Sequence, residues 1–202
     1  MSSPSSPSPV LWDAVETRVW QSALDSYGAA LALLPSHRLA EHDAWYREVL
    51  PALMASRSPM HVTHAEMVRI TEWKMARGVW RAPNLALVRN NPDGAVEAAT
   101  ARAATLLDVP GKALGAVCEL GGVGPATASA VLAVMAPDRF PFFDEIVAGQ
   151  VPTLGAVAWT AGYYRRYAAA LIERAAALGA GWHASRVERA LWAFGVHAGV
   201  RV

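Results

Sequence analysis

The residue types that could do chemistry in this chain concentrate between Glu119 and Val147. The run Glu119-Leu120-Gly121-Gly122-Val123-Gly124-Pro125-Ala126-Thr127 joins what reads as the end of one helix to the start of the next. Pro125 suits a first helical position, where an N–H would have no partner anyway. Gly122 and Gly124 tolerate positive φ and carry no side chain, so an anion can come close to the main chain there. The first-turn amides of the following helix lack internal partners and sit at the positive end of its dipole. Gly122, Gly124, Ala126 and Thr127 are therefore candidate backbone donors to a phosphate, a site that needs no Lys or Arg. Val123, apolar between two glycines, is expected to anchor the turn in the core. The competing reading is an αα-corner whose glycines only permit close helix packing.

Twenty residues after Gly124 comes Asp144, inside the run Phe140-Pro141-Phe142-Phe143-Asp144-Glu145-Ile146-Val147, with two adjacent carboxylates opening a helix. Asp144 has the side chain of a good N-cap, and Glu145 that of a first-turn residue favoured by the helix dipole. Lys74 and Lys112 are the only lysines in an Arg-rich chain, and Lys74 is a candidate phosphate contact or ion-pair partner. The six histidines (His37, His42, His61, His64, His183 and His197) show no metal-ligand spacing, so no metal is expected. A single cysteine, Cys118, excludes an intramolecular disulfide framework and any cysteine-ligated cluster, and fits a reducing cytoplasm.

The segment from Leu120 to Val147 resembles the signature region of the helix-hairpin-helix base-excision DNA glycosylases. In that superfamily a Gly-rich hairpin is followed by a loop bearing a catalytic aspartate that opens the next helix, and the spacing of Gly124 to Asp144 is similar. The region from Glu72 to Leu107 resembles an uncharacterised branch of the same superfamily. The resemblance implies double-stranded DNA as partner, the hairpin amides as phosphate ligands, and an extruded nucleotide facing Asp144. A carboxylate there would stabilise positive charge at C1′ and orient a water, as in glycoside hydrolysis. Glu145 is a candidate neighbouring acid or base, and of Trp73 and Trp80, flanking Arg77 and Gly78, one is a candidate base-stacking ring, with core packing the favoured reading. Proteins of this kind often hold a monovalent cation on hairpin carbonyls, the one cofactor the resemblance suggests. Bifunctional members carry an imine-forming lysine two residues after the second hairpin glycine. Here that residue is Ala126, so any activity implied is monofunctional. Two other readings stay open: a non-catalytic DNA-binding module in which Asp144 is only a cap, and an all-helical interaction protein without nucleic acid.

The elements expected to position these residues are helical throughout. Residues 1–10, rich in Ser and Pro, read as a disordered tail, and residues 11–202 as one all-α, two-lobed domain with the hairpin at 111–136. Periodicity predicts helices over Leu11–Leu33, Leu39–Ala55, His64–Arg77, Pro83–Arg89, Asp93–Leu107, Pro110–Leu120, Pro125–Ala136 and Thr160–Leu178. Thr63 and Glu66 have the form of a capping box, and Ser185 and Glu188 that of a second one starting the last helix. Trp12, Trp20, Trp45, Trp159 and Trp192 fall in helical patterns and are expected in the core. The tyrosines and arginines of Tyr163-Tyr164-Arg165-Arg166 form a basic-aromatic patch or a solvated face. No apolar run is long enough to span a bilayer, and the N-terminus lacks the pattern of a secretory signal. The net charge of +1 gives weak support to a nucleic-acid partner. Residues 1–61 carry a balance of −2, residues 62–102 of +2 and the remainder of +1, so a phosphate-facing surface has to be local.

Overall fold

The computed structural model describes residues 10–35, 38–92 and 94–200. The expected tail, apart from Val10, and Asp93 lie outside them. Among the described residues the chain is helical with no strand, and no helix is long and apolar enough to cross a membrane.

The predicted first helix is broken into a 3-10 turn at Leu11–Asp13, α1 (Thr17–Asp25) and α2 (Tyr27–Ala32). Two side chains account for the breaks. Trp20 Nε1 donates to the Ala14 carbonyl at 2.9 Å, and the Ser26 hydroxyl donates to the Ala23 carbonyl at 2.7 Å. Such local bonds offer the backbone an alternative to the helix ladder. The second predicted helix is continuous but not uniform. It runs as α3 (Leu39–Ala44), a π turn at Trp45–Val49, and α4 (Leu50–Ala55). Pro51 has no N–H to return to the preceding turn, which explains the local widening.

Next, α5 (His64–Arg77) starts at the expected capping box: Glu66 N–H donates to Thr63 Oγ1, and the Glu66 carboxylate accepts from Thr63 N–H at 2.8 Å. It stops at Gly78. Beyond it come α6 (Ala82–Arg89), α7 (Ala95–Ala104), α8 (Pro110–Cys118), α9 (Pro125–Met135) and the single turn α10 (Glu145–Ala148). The chain finishes with α11 (Ala161–Leu178) and α12 (Ala184–His197).

The core is one continuous apolar cluster, with Trp20, Trp73 and Trp192 wholly buried in it. Two helices organise the site. In α9 every residue from Ala126 to Ala133 is buried, as expected for a helix enclosed by α4, α5, α7 and α8. In α12 one face packs on α1 and α2, the other on α10 and α11. Gly195 makes the second contact possible. A Cβ there would lie 2.4 Å from Ile146 Cγ2 and 2.6 Å from Gln150 Nε2.

The second predicted capping box does not form. The N-cap of α12 is His183, the Ser185 hydroxyl turns to the Phe140 carbonyl at 3.4 Å, and Glu188 is buried in an ion pair instead. Trp159 also departs from expectation. It is 44% exposed, because it precedes α11 in an irregular segment rather than lying on a helix.

Candidate functional site

The turn between α8 and α9 is fixed from outside the hairpin. Asn91 accepts a hydrogen bond from Gly121 N–H at 2.8 Å, and its amide donates to the Gly121 carbonyl at 3.0 Å. Gly122 takes φ of 75°, and a Cβ on it would lie 2.5 Å from the Asn84 carbonyl and 2.8 Å from Leu87 Cβ. The missing side chain of Gly122 is therefore occupied by α6, not held open for a ligand. Gly124 corrects the sequence reading in the other direction. Its φ is −99°, an ordinary extended value, and a Cβ there would meet nothing within 4 Å. Val123 is buried, as an anchor should be.

The loop that carries Asp144 hangs from three hydroxyls. Phe143 N–H donates to Ser129 Oγ at 2.9 Å, tying the loop to α9. Tyr164 and Tyr167 on α11 donate to the carbonyls of Pro141 and Phe142, at 3.1 and 2.7 Å. With its backbone so held, Asp144 caps α10: Oδ1 accepts from Ile146 N–H at 2.9 Å.

The other oxygen of Asp144 meets a residue that sequence reasoning did not single out. Arg77, the last residue of α5, places Nη2 at 3.3 Å from Asp144 Oδ2 and 2.7 Å from Glu188 Oε1 on α12. All three side chains are nearly inaccessible. The guanidinium sits against aromatic rings, 4.3 Å from the centroid of Trp192 and 5.0 Å from that of Phe142. Its Nε and Nη1 have no hydrogen-bond partner among the described residues. One cation thus serves two carboxylates in a low-dielectric setting. Burial pushes the Asp144 carboxyl up to about 6, against the pull of Arg77, and Glu188 raises it further. Nothing local announces this triad, since Arg77 and Glu188 are 111 residues apart.

Asp144 opens on a cavity of about 350 Å³. It is lined by the start of α9, with Gly124, Pro125, Ala126 and Thr127, and by Phe142, Phe143, Asp144 and Glu145 of the following loop. The end of α5 and the start of α6 add Lys74, Arg77, Arg81 and Asn84 to the lining. Trp159 closes one side, its ring tilted against Phe143 at 4.8 Å. A pocket of this size takes a small organic ligand, and its rim of Lys74 and Arg81 favours an anionic one. Burial and the nearby Arg81 lower the pKa of the Lys74 ammonium.

Of the residues expected from the sequence, Asp144, Glu145, Gly124, Ala126 and Thr127 share this cavity, and Gly122 does not line it. Neither do the two tryptophans considered as base-stacking candidates. Trp73 is fully buried, stacked on Tyr46 at 3.7 Å with its Nε1 donating to Asp43, and Trp80 projects outside the cavity. The tryptophan that does line it is Trp159, which the sequence reading assigned to the core. Arg165 and Arg166 face solvent, while Tyr163 and Tyr164 turn inward to the core. Among the described residues, no three His, Cys, Asp or Glu side chains cluster as metal ligands would.

Comparison of the chain with protein-family models, with curated proteins and with solved structures finds no match.

Proposed function

We propose that this protein binds double-stranded DNA through the α8–α9 hairpin and hydrolyses the N-glycosidic bond of an extruded, damaged or modified nucleotide. The observation that carries the reading is that Asp144 and the first turn of α9 line one cavity. A phosphate on the free amides of that turn would bring the adjoining sugar within reach of the carboxylate. The two-lobed plan of helix-hairpin-helix glycosylases belongs to the same proposal, with α5 and α6 as one side of the cleft and α9 and α10 as the other.

The chemistry follows from the charges. As the base leaves, positive charge develops at C1′, and an ionised Asp144 stabilises it. With a pKa of about 6, most of Asp144 is ionised at neutral pH while remaining basic enough to draw a proton from an attacking water. Trp159 offers a face on which the extruded base can stack. Gly122 acts by seating the turn on α6, and the phosphate donors are then Gly124, Ala126 and Thr127. A monovalent cation on the hairpin fits less well. The Gly121 carbonyl is engaged by Asn91 and the Leu120 carbonyl by Val123 N–H, so no step is routed through a cation.

The test is a panel of duplexes bearing single lesions, assayed for abasic-site formation with wild type and Asp144→Asn. Release by the wild type and loss in the variant is the expected result. A second reading has its own support: both oxygens of Asp144 are already engaged, one by the α10 cap and one by Arg77. That arrangement suits a DNA-binding module without catalysis. If duplex binding is seen, with log K falling against log salt, but no lesion yields an abasic site, the module reading holds.

A further inference from the structure

A second cavity, of about 200 Å³, lies at the other end of α9 from the hairpin. Ala133 and Val134, in the last turn of α9, line it together with His183, Ser185, Glu188 and Arg189 around the start of α12. Phe142 is the one lining residue that it shares with the cavity at Asp144.

Three charged side chains line this second cavity: Arg47, Glu188 and Arg189. Two of them are compensated by residues outside it. Arg47 pairs with Asp43 at 3.0 Å, and Glu188 with Arg77 at 2.7 Å. Arg189 makes no ion pair among the described residues, and its Nε is buried without a hydrogen-bond partner. Glu188 does attract Arg189, but the attraction is outweighed: burial first, and then the like charge of Arg47, lower the Arg189 pKa. His183 adds no charge near neutral pH, because burial lowers its pKa and its Nδ1 donates to the Pro137 carbonyl at 3.2 Å. With the two pairs cancelled, the cavity keeps one positive charge, on Arg189.

We propose that this cavity is a binding site for a small monocarboxylate with a compact apolar body, its carboxylate held by the Arg189 guanidinium. The inference is independent of the DNA reading. One positive charge calls for a monoanion, and the planar fork of a guanidinium matches the two oxygens of a carboxylate. Glu188 stays with Arg77, since the counter-ion of the ligand is Arg189. Tyr46, Pro51, Val134 and Phe142 offer apolar surface to the rest of the molecule. A volume of about 200 Å³ is below that of pockets for drug-sized ligands, and suits a single small ring or a short branched chain. Inorganic phosphate fits less well, because it carries oxygens on every side and some would face apolar groups without a donor.

The test is calorimetric titration of the full chain with benzoate, with benzamide as the neutral analogue and inorganic phosphate as an oxyanion without an apolar body. Benzoate should bind and benzamide should not. Arg189→Met should weaken benzoate by about tenfold or more, as expected for loss of a hydrogen-bonded charge. Val134→Phe should block binding by filling the cavity while Arg189 stays in place, and decides the matter should Arg189→Met fail to fold. Thermal melts by circular dichroism establish that each variant is folded. Lys74→Met, in the other cationic cavity, should leave the affinity unchanged. No binding of benzoate, equal binding of benzamide, or an undiminished affinity in either folded cavity variant overturns the proposal. A loss confined to Lys74→Met also overturns it, by placing the anion beside Asp144. Phosphate bound as tightly as benzoate overturns the carboxylate as the ligand class.

Discussion

Asp144→Asn separates the structural role of the buried carboxylate from the catalytic role proposed for it. In the unfolded chain an aspartate ionises near 3.8, and in the folded protein Asp144 does so at about 6. Between those values the folded state holds the extra proton, so stability falls as pH rises through the window and stays reduced above it. A displacement of roughly two units corresponds to about 3 kcal/mol at most. Asparagine has no charge to bury, and its Oδ1 can still accept from Ile146 N–H, since Asn is as good an N-cap as Asp. The variant should therefore match the wild type near pH 4 and be more stable at pH 8. With about 2–4 °C per kcal/mol for a chain of this size, the gain in Tm at pH 8 should be on the order of 5–10 °C. Thermal unfolding followed by circular dichroism at the two pH values measures it. A variant less stable than wild type at pH 8 would show that the pairing with Arg77 outweighs burial, and that the carboxyl ionises below its ordinary value.

Removal of the shared cation should act in the opposite direction. Arg77→Met leaves Asp144 and Glu188 buried without a counter-charge and should cost about 3–5 kcal/mol near neutral pH, recovered in part as acid protonates Asp144; urea unfolding at pH 5 and pH 8 reads both effects. The hairpin glycines should divide. Gly122→Ala places a Cβ against the Asn84 carbonyl at a left-handed φ and should lose about 2–4 kcal/mol in a thermal melt. At Gly124 a Cβ meets no neighbour within 4 Å, so Gly124→Val should cost about 1 kcal/mol or less, from a poorer N-cap, yet cover the amides of α9 and weaken the proposed duplex binding in a fluorescence titration. Unchanged binding by Gly124→Val would remove the hairpin from the proposed DNA-contact surface.

How much of this was legible in the sequence depended on the range of the signal. The Thr63 capping box, the stop at Gly78 and the Pro125 start are set by residues within one turn, and each appears where the spacing predicts. Asp144 as an N-cap is likewise a local matter. The break of the first helix was missed because it depends on single hydrogen bonds from Trp20 and Ser26 that periodicity does not register. The triad was hidden for a stronger reason. Ser185 and Glu188 match a capping box, but a carboxylate that can reach a buried guanidinium gains more than one that caps a solvated turn. Gly122 and Gly124 look equivalent in sequence, and only the position of α6 makes one a packing residue and leaves the other open.

Asn91 gives the hairpin one further property. Its side chain holds both the N–H and the carbonyl of Gly121, while its amide also reaches the Val88 carbonyl at 2.9 Å. The turn is thus cast in its final shape before any ligand arrives. A loop that must be ordered on contact spends part of its interaction energy on lost conformational freedom, and this one has little left to lose. Under the proposed DNA contact, such a rigid surface would discriminate by shape: a duplex whose backbone is bent or widened has to come to the protein, because the protein will not adjust to it.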